Sequence, residues 1–165
     1  MRSRQLAVLS LFFLAGCVSG PMYIPPTGGD VATLTVLNAS DMEMRAGAWD
    51  ETCTFRNLAN FKSRGILPNR LYSSQSVKVV IPAGKEFAFG IWASGGTQIR
   101  KMICDFDVTF TPNLGSDYYA TFRQSGYRCQ LLMREATLSG LGETRSVKFR
   151  VSHFTKEDIA QHNCR

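Results

Sequence analysis

The chain has 165 residues, with 19 Lys+Arg against 13 Asp+Glu and a formal net charge of +6. Its basic residues are scattered in runs of no more than two, which argues against the clustered footprint of a nucleic-acid partner. The length suits one domain with a real core, and helix-forming runs are scarce.

Arg2 and Arg4 precede a nine-residue apolar run, Leu6 to Leu14. A spanning helix needs about 20 apolar residues, so this run is too short to remain in a bilayer. It has the form of a secretory signal, with basic residues before it and small residues after. Leu14-Ala15-Gly16-Cys17 resembles the lipobox of bacterial lipoproteins. The resemblance implies that the Cys17 thiol receives a diacylglyceryl group and that cleavage removes residues 1–16. The new amino group is then often acylated as well. One acyl chain binds a membrane marginally, whereas two or three anchor it stably. Val18 stands where an aspartate commonly retains such lipoproteins in the inner membrane. The resemblance therefore points to the outer membrane. Cleavage removes Arg2 and Arg4 and no acid, leaving 149 residues and a net charge of 17 − 13 = +4.

Pro21, Pro25, Pro26, Gly28 and Gly29 interrupt regular structure before Asp30. They predict that residues 17–30 form a lipidated cysteine and flexible tether, reaching roughly 40 Å at about 3.1 Å per residue. Residues 31–165 are then the folded domain.

Setting Cys17 aside leaves Cys53, Cys104, Cys129 and Cys164. In an oxidising compartment they read as two disulfides, and the sequence does not choose among the three pairings. A Cys104–Cys129 bridge would contribute about 3.5 kcal/mol through chain entropy, and a Cys53–Cys164 bridge up to about 4.8 kcal/mol. No C-x-x-C is present, and His153 and His162 lack zinc-site spacing. No metal or cofactor is expected.

Val31 to Leu37 alternates as a half-buried strand, with Ala32, Leu34 and Val36 on one face. Residues 42–56 are less clear, with Cys53 and Phe55 in a short strand. Asn57 to Lys62 reads as loop or one helical turn, and Pro68-Asn69 as a turn. Val77, Val79 and Ile81 alternate in the next strand, and Pro82 to Lys85 turns the chain. Phe87, Phe89 and Ile91 follow, and Gly95-Gly96 breaks that strand. Met102, Cys104, Phe106, Val108 and Phe110 make the cleanest alternation, with Cys104 facing the core. Pro112 to Gly115 turns again. Strands follow at Asp117 to Gln124, Tyr127 to Ala136 and Ser146 to Ser152. In the last, Val147, Phe149 and Val151 are expected inside and Lys148 and Arg150 outside. Thr155 caps a short helix over about 155–162, with Glu157 and Asp158 at its positive end.

Seven or eight strands at regular spacing predict an antiparallel β-sandwich with a short C-terminal helix, and a barrel is the runner-up. No β-α-β alternation suggests a doubly wound sheet. Pro112-x-x-Gly115-x-x-Tyr118 resembles the corner of Ig-like and prealbumin-like sandwiches, where a tyrosine hydroxyl bonds backbone. With Ile81 to Lys85 and Cys129, it makes residues 31–135 loosely similar to small bacterial lipoproteins of unassigned function. That resemblance implies a fold and a location, not an activity.

Candidate chemistry is sparse. Asp105 and Asp107 share a strand face and read as solvated polarity rather than a cation site. Ser94-Gly95-Gly96 and Ser139-Gly140 lack the glycine pattern of a nucleophile elbow. His153 lacks an acid that the sequence can place beside it. Asn38-Ala39-Ser40 matches a glycosylation acceptor, of little meaning in a bacterial setting. Trp92, at a strand end beside a glycine-rich loop, is a candidate binding contact. No catalytic residue is assigned.

The expected function is therefore a membrane-anchored, non-catalytic binding or structural domain facing the periplasm. Its partners would be the membrane, through lipid, and an envelope protein, as an accessory of an envelope complex. The alternative is an inhibitor lipoprotein that blocks a hydrolase such as a lysozyme, and the third reading is an envelope hydrolase.

Overall fold

The computed structural model describes residues 20–58, 70–96, 100–136, 144–152, 154–161 and 164. Those residues form ten strands: β1 (Val31–Ala39), β2 (Glu43–Trp49), β3 (Phe55–Asn57), β4 (Ser76–Pro82), β5 (Phe87–Gly96), β6 (Lys101–Phe110), β7 (Asp117–Ser125), β8 (Arg128–Ala136), β9 (Thr144–Ser146) and β10 (Arg150–Ser152). One sheet runs β4-β1-β7-β8-β9 and the other β10-β6-β5-β2-β3. The protein is all-β, as the alternation predicts. Between the sheets lie Leu34, Val36, Ile81, Phe89, Ile91, Val108, Tyr118 and Phe122, all buried.

Two details differ from the expectation of seven or eight antiparallel strands. Three of the ten strands, β3, β9 and β10, are only three residues long and raise the number above eight. Also, β1 pairs with β7 in parallel, although β1 pairs with β4 antiparallel. Parallel neighbours cannot be joined by a tight turn. Here most of the domain lies between the two strands, so no turn constrains their direction.

The cysteines pair Cys53–Cys164 and Cys104–Cys129, with Cα separations of 5.6 Å and 6.2 Å. The second bridge joins β6 to β8 and so links the two sheets. Cys104 is buried, as its strand phase predicts.

The stretch expected as one strand at Ser146 to Ser152 changes sheet instead. β9 pairs with β8 in the first sheet, and β10 pairs with β6 in the second. Val147 and Phe149 pack on the core, but Val151 is 47% exposed rather than inside. A continuous strand cannot serve both sheets, so the crossing residues close one open side of the sandwich.

The N-terminal segment closes the other side. Asn57 N–H donates to Pro21 O at 2.9 Å, and Tyr23 N–H donates to Asn57 O at 2.9 Å. Tyr23 OH donates to Val80 O at 3.1 Å, and its ring meets Phe87 edge-on. Asn57 and Val80 belong to edge strands of opposite sheets. Burial pushes the Tyr23 phenol up to about 12. Gly20 to Tyr23, within the stretch read as tether, thus cover edges that would otherwise offer unpaired backbone. The prolines prevent a regular strand, but their carbonyls still accept.

The corner works as the resemblance implies. Asn113 N–H donates to Tyr118 OH at 2.8 Å, and that hydroxyl donates to Glu135 Oε1 at 3.2 Å. Ser116 Oγ also donates to Glu135, at 2.6 Å, and Arg145 Nε donates to its other oxygen at 2.6 Å. Arg145 and these hydrogen bonds hold the Glu135 carboxyl down at about 2. Thr155 caps the helix α1 (Lys156–Ala160) through a capping box with Asp158.

Candidate binding surface

The second sheet presents an outward face whose two halves differ. Arg45, Trp92 and Asp105 are cross-strand partners on β2, β5 and β6. The next row along the strands is Gly47, Gly90 and Asp107.

At the glycine row and below, a second small core covers the sheet. Trp49 Nε1 donates to Asp107 Oδ1 at 2.8 Å, and Phe154 N–H donates to Asp107 Oδ2 at 3.3 Å. The Trp49 ring meets Phe55 and Phe154 edge-on, with centroids 5.2 Å and 5.6 Å away. Glycine is what admits these rings. A Cβ on Gly47 would lie 2.3 Å from the Phe55 ring, and one on Gly90 would lie 2.8 Å from Asp107 Oδ1. Asp107 is therefore buried, not solvated as its pairing with Asp105 suggested. Alternation assigns a face correctly, but cannot tell that a later segment returns to cover part of it.

Above that row the face is open. The Arg45 guanidinium lies 5.9 Å from the centre of the Trp92 ring. Trp92 is half-buried and lies within β5, which continues to Gly96, so it is not at the strand end expected for it. It lines an open cleft of about 500 Å³ with Ser94, Lys101 and Ile103. A second cleft, of about 370 Å³, lies among the hairpin tips and is lined by Asp41, Met42, Arg100, Gln124 and Tyr127. Lys101, Met102 and Gly96 line both. Gly96 has a φ of +109°, and a Cβ there would lie 2.1 Å from Arg100 O, so only glycine fits at this position.

Arg100 Nη1 donates to Tyr127 OH at 2.7 Å, and its guanidinium lies 5.9 Å from the ring centre. Tyr127 is 76% exposed and Ile103 is 64% exposed. Under the tips, Cys104 Sγ touches Met42 Sδ at 3.8 Å, so the inter-sheet bridge braces the cleft wall. Asn38, fully buried, braces it from behind. Its Nδ2 donates to Met42 O at 2.7 Å and Leu71 O at 3.0 Å, and its Oδ1 accepts from Ser40 N–H at 3.1 Å. The apparent glycosylation acceptor is a structural staple.

The two ends of the sandwich differ in charge. The tip segments 40–45, 92–103 and 123–128 hold Arg45, Arg100, Lys101, Arg123 and Arg128 against Asp41 and Glu43, so 5 − 2 = +3. The opposite loops gather Asp30, Asp50, Glu51, Glu86 and Asp117, and four of these acids are ion-paired, Asp50 with Arg56, Glu51 with Lys85, Glu86 with Arg150 and Asp117 with Lys78. Two of those acids are held ionised. Burial raises the Asp50 carboxyl, but hydrogen bonds from Thr52, Thr54 and Arg56 outweigh it and the net shift is downward. Thr33 and Lys78 lower Asp117.

Cys17, His153, Pro68-Asn69 and Ser139-Gly140 lie outside the described residues. Cys53, Cys104, Cys129 and Cys164 are joined in the two bridges. Ser94-Gly95-Gly96 forms the end of β5. Among the described residues, no three His, Cys, Asp or Glu could hold a metal together, and no helix is long and apolar enough to cross a membrane. Sequence reading singled out Trp92 but missed Arg45, Arg100, Lys101 and Tyr127. Only strand pairing brings them together. No protein-family model matches the chain, and comparison with curated proteins gave no match.

Proposed function

We propose that the chain is a bacterial lipoprotein acylated at Cys17, whose sandwich is a non-catalytic binding domain displayed in the periplasm from the outer membrane. It serves as an accessory to an envelope complex. The observation that carries this reading is where the N-terminus meets the fold. Met22 bridges to Asn57, whose cross-strand partner Gly47 is paired to Gly90. Cys17 is three residues before Gly20, a span of at most about 11 Å. From Gly90 to Gly96, β5 rises about 20 Å. Lipid at Cys17 therefore attaches nearer the acidic end than the tips.

Attachment near that end holds it close to the leaflet and leaves the tip on the far side, toward soluble partners. Attraction of the basic tip to anionic headgroups acts against this only within a screening length of about 8 Å. Guanidinium and aromatic groups gather at the tip, which is the composition of a contact surface.

Membrane fractionation of the Cys17→Ser protein tests the anchor. The variant is expected in the soluble fraction. Variant protein that still sediments after a salt wash overturns the anchor. Crosslinking from Tyr127 in intact envelopes tests the display. Capture of a resident envelope component is expected, whereas capture only of an added lytic hydrolase favours the inhibitor reading.

A further inference from the structure

We infer that the outward face of the first sheet is a docking surface for an acidic protein. This face is separate from the tip contact proposed above and does not depend on it. Arginines that are scattered along the sequence are gathered here by strand phase. Lys78, Tyr119 and Arg134 lie in one row across β4, β7 and β8, joined through Thr35 of β1. The next row holds Leu37, Thr121 and Leu132. Beyond it Arg123 faces Gln130, and Arg128 follows at the start of β8.

The charged groups on this face are Lys78, Arg123, Arg128 and Arg134 against Asp117, so 4 − 1 = +3. Asp117 is already engaged by Lys78 and Thr33. Arg123, Arg128 and Arg134 are exposed and make no ion pair among the described residues. Each is a planar fork that matches a carboxylate bidentately. They stand around an apolar centre, where Tyr119 is 41% exposed, Leu132 is 37% exposed and Leu37 is half-buried. Arginine and tyrosine beside apolar surface that a partner can dry are enriched in protein contacts.

Shape favours a protein over other anions. Four strands about 4.8 Å apart and nine residues rising about 3.3 Å each make a face of roughly 19 Å by 30 Å, the scale of one side of a standard interface. Arg128 and Arg134 are 134 − 128 = 6 residues apart on β8, on either side of the apolar centre. Charges spread in two dimensions match a surface rather than a single polymer strand. Leu132 is sunk among its neighbours and does not project, so it offers no insertion among acyl chains. Two copies of this chain would set +3 against +3, which opposes face-to-face pairing.

The test uses the full-length chain carrying Cys17→Ser in solution, so the lipid anchor plays no part. A random copolymer of glutamate and tyrosine is the probe, titrated calorimetrically. Polyglutamate, polygalacturonate and phosphatidylglycerol vesicles are the comparison ligands. The copolymer is expected to bind most tightly, since its rings meet the apolar centre while its carboxylates meet the forks. Arg123→Gln and Arg134→Gln should each weaken binding about tenfold, the worth of one charge-assisted bond. Lys148→Gln removes the same charge on the crossing between β9 and β10 and should leave binding unchanged. Leu132→Thr should make the copolymer no better a ligand than polyglutamate. Thermal melts verify that each variant is folded.

Absence of copolymer binding overturns the inference. Equal binding of polyglutamate to the parent chain overturns the apolar centre. Binding of polygalacturonate as tight as the copolymer overturns the protein class in favour of an acidic glycan, and tighter binding of the vesicles overturns it in favour of a lipid surface. An equal loss in Lys148→Gln reduces the effect to net charge and overturns the face. A dimer in sedimentation that Leu132→Thr dissociates puts a second copy on the face and overturns the acidic partner. Membrane fractionation and capture from Tyr127 are read separately, so failure here is distinguishable from failure of the anchor or of the tip.

Discussion

Trp49 and Trp92 stand on the same outward face of the same sheet, both half-buried, and differ in what packs on them. Trp49 lies beside two facing glycines, which let aromatic rings settle on the backbone and bury Asp107 with them. Trp92 lies one row beyond those glycines, with Arg45 and Asp105 as cross-strand partners. No ring from another segment covers it among the described contacts, and it lines an open cleft. The difference teaches that strand phase decides which face a tryptophan takes. What lies beyond the face, a returning segment or solvent, decides whether the residue serves stability or contact.

The largest expected effect separates the two halves by removing the tie that holds the cover in place. Cys164 bonds Cys53 and pins the segment that carries Phe154 and α1. Replacing both cysteines with alanine should cost up to about 4.8 kcal/mol in denaturant unfolding, from a loop closed over 111 residues of sequence separation. A cost below about 1 kcal/mol would show that the cover holds without its tie.

Next comes the tryptophan pair itself. Trp49 is half-buried but packed against Phe55 and Phe154, so Trp49→Ala should cost about 3 kcal/mol, the low end for aromatics in a core. Trp92→Ala should cost about 1 kcal/mol, the ordinary value for a substitution that opens no cavity. Equal costs would break the comparison.

The two aspartates repeat that contrast on a smaller scale. Asp107→Ala strands the Trp49 N–H and the Phe154 N–H and should cost about 2–3 kcal/mol. Asp105→Ala touches an exposed site and should stay within about 0.5 kcal/mol.

Glu135 supplies a further effect, of about the size of the Asp107 one, and it depends on pH. Its folded pKa of about 2 lies below the usual 4.5, so the ionised carboxylate favours the folded state. That stabilisation is complete above pH 4.5 and is lost as pH falls through about 2. Glu135→Gln should cost about 2 kcal/mol at neutral pH, where one charged acceptor is removed from a buried site. The gap between the two melting curves should close on acidification. A gap constant from pH 7 to pH 2 would mean that the carboxylate charge is irrelevant to the corner.

Much of the fold was legible because its physical basis is local. The alternation of Val31 to Leu37 and of Met102 to Phe110 marks half-buried strands, and Thr155 with Asp158 marks a helix start. Cys104 was placed on the core face by phase alone. What could not be read depends on distant segments. β2 was hidden because Ala46, Gly47 and Ala48 are small on both faces, and Gly47 is small for the sake of Phe55 on the neighbouring strand. Ser146 to Ser152 has the alternation of one strand, yet it serves two sheets in turn. The tip cluster joins Arg45, Trp92, Arg100 and Tyr127 from four separate stretches, so no spacing announces it.

Acrylamide quenching of single-tryptophan proteins tests the central contrast most directly. With Trp92→Phe only Trp49 emits, and with Trp49→Phe only Trp92 emits. Trp92 should be quenched more readily than Trp49 in the native state, and the two should converge on unfolding. Equal native quenching of the two would contradict the contrast.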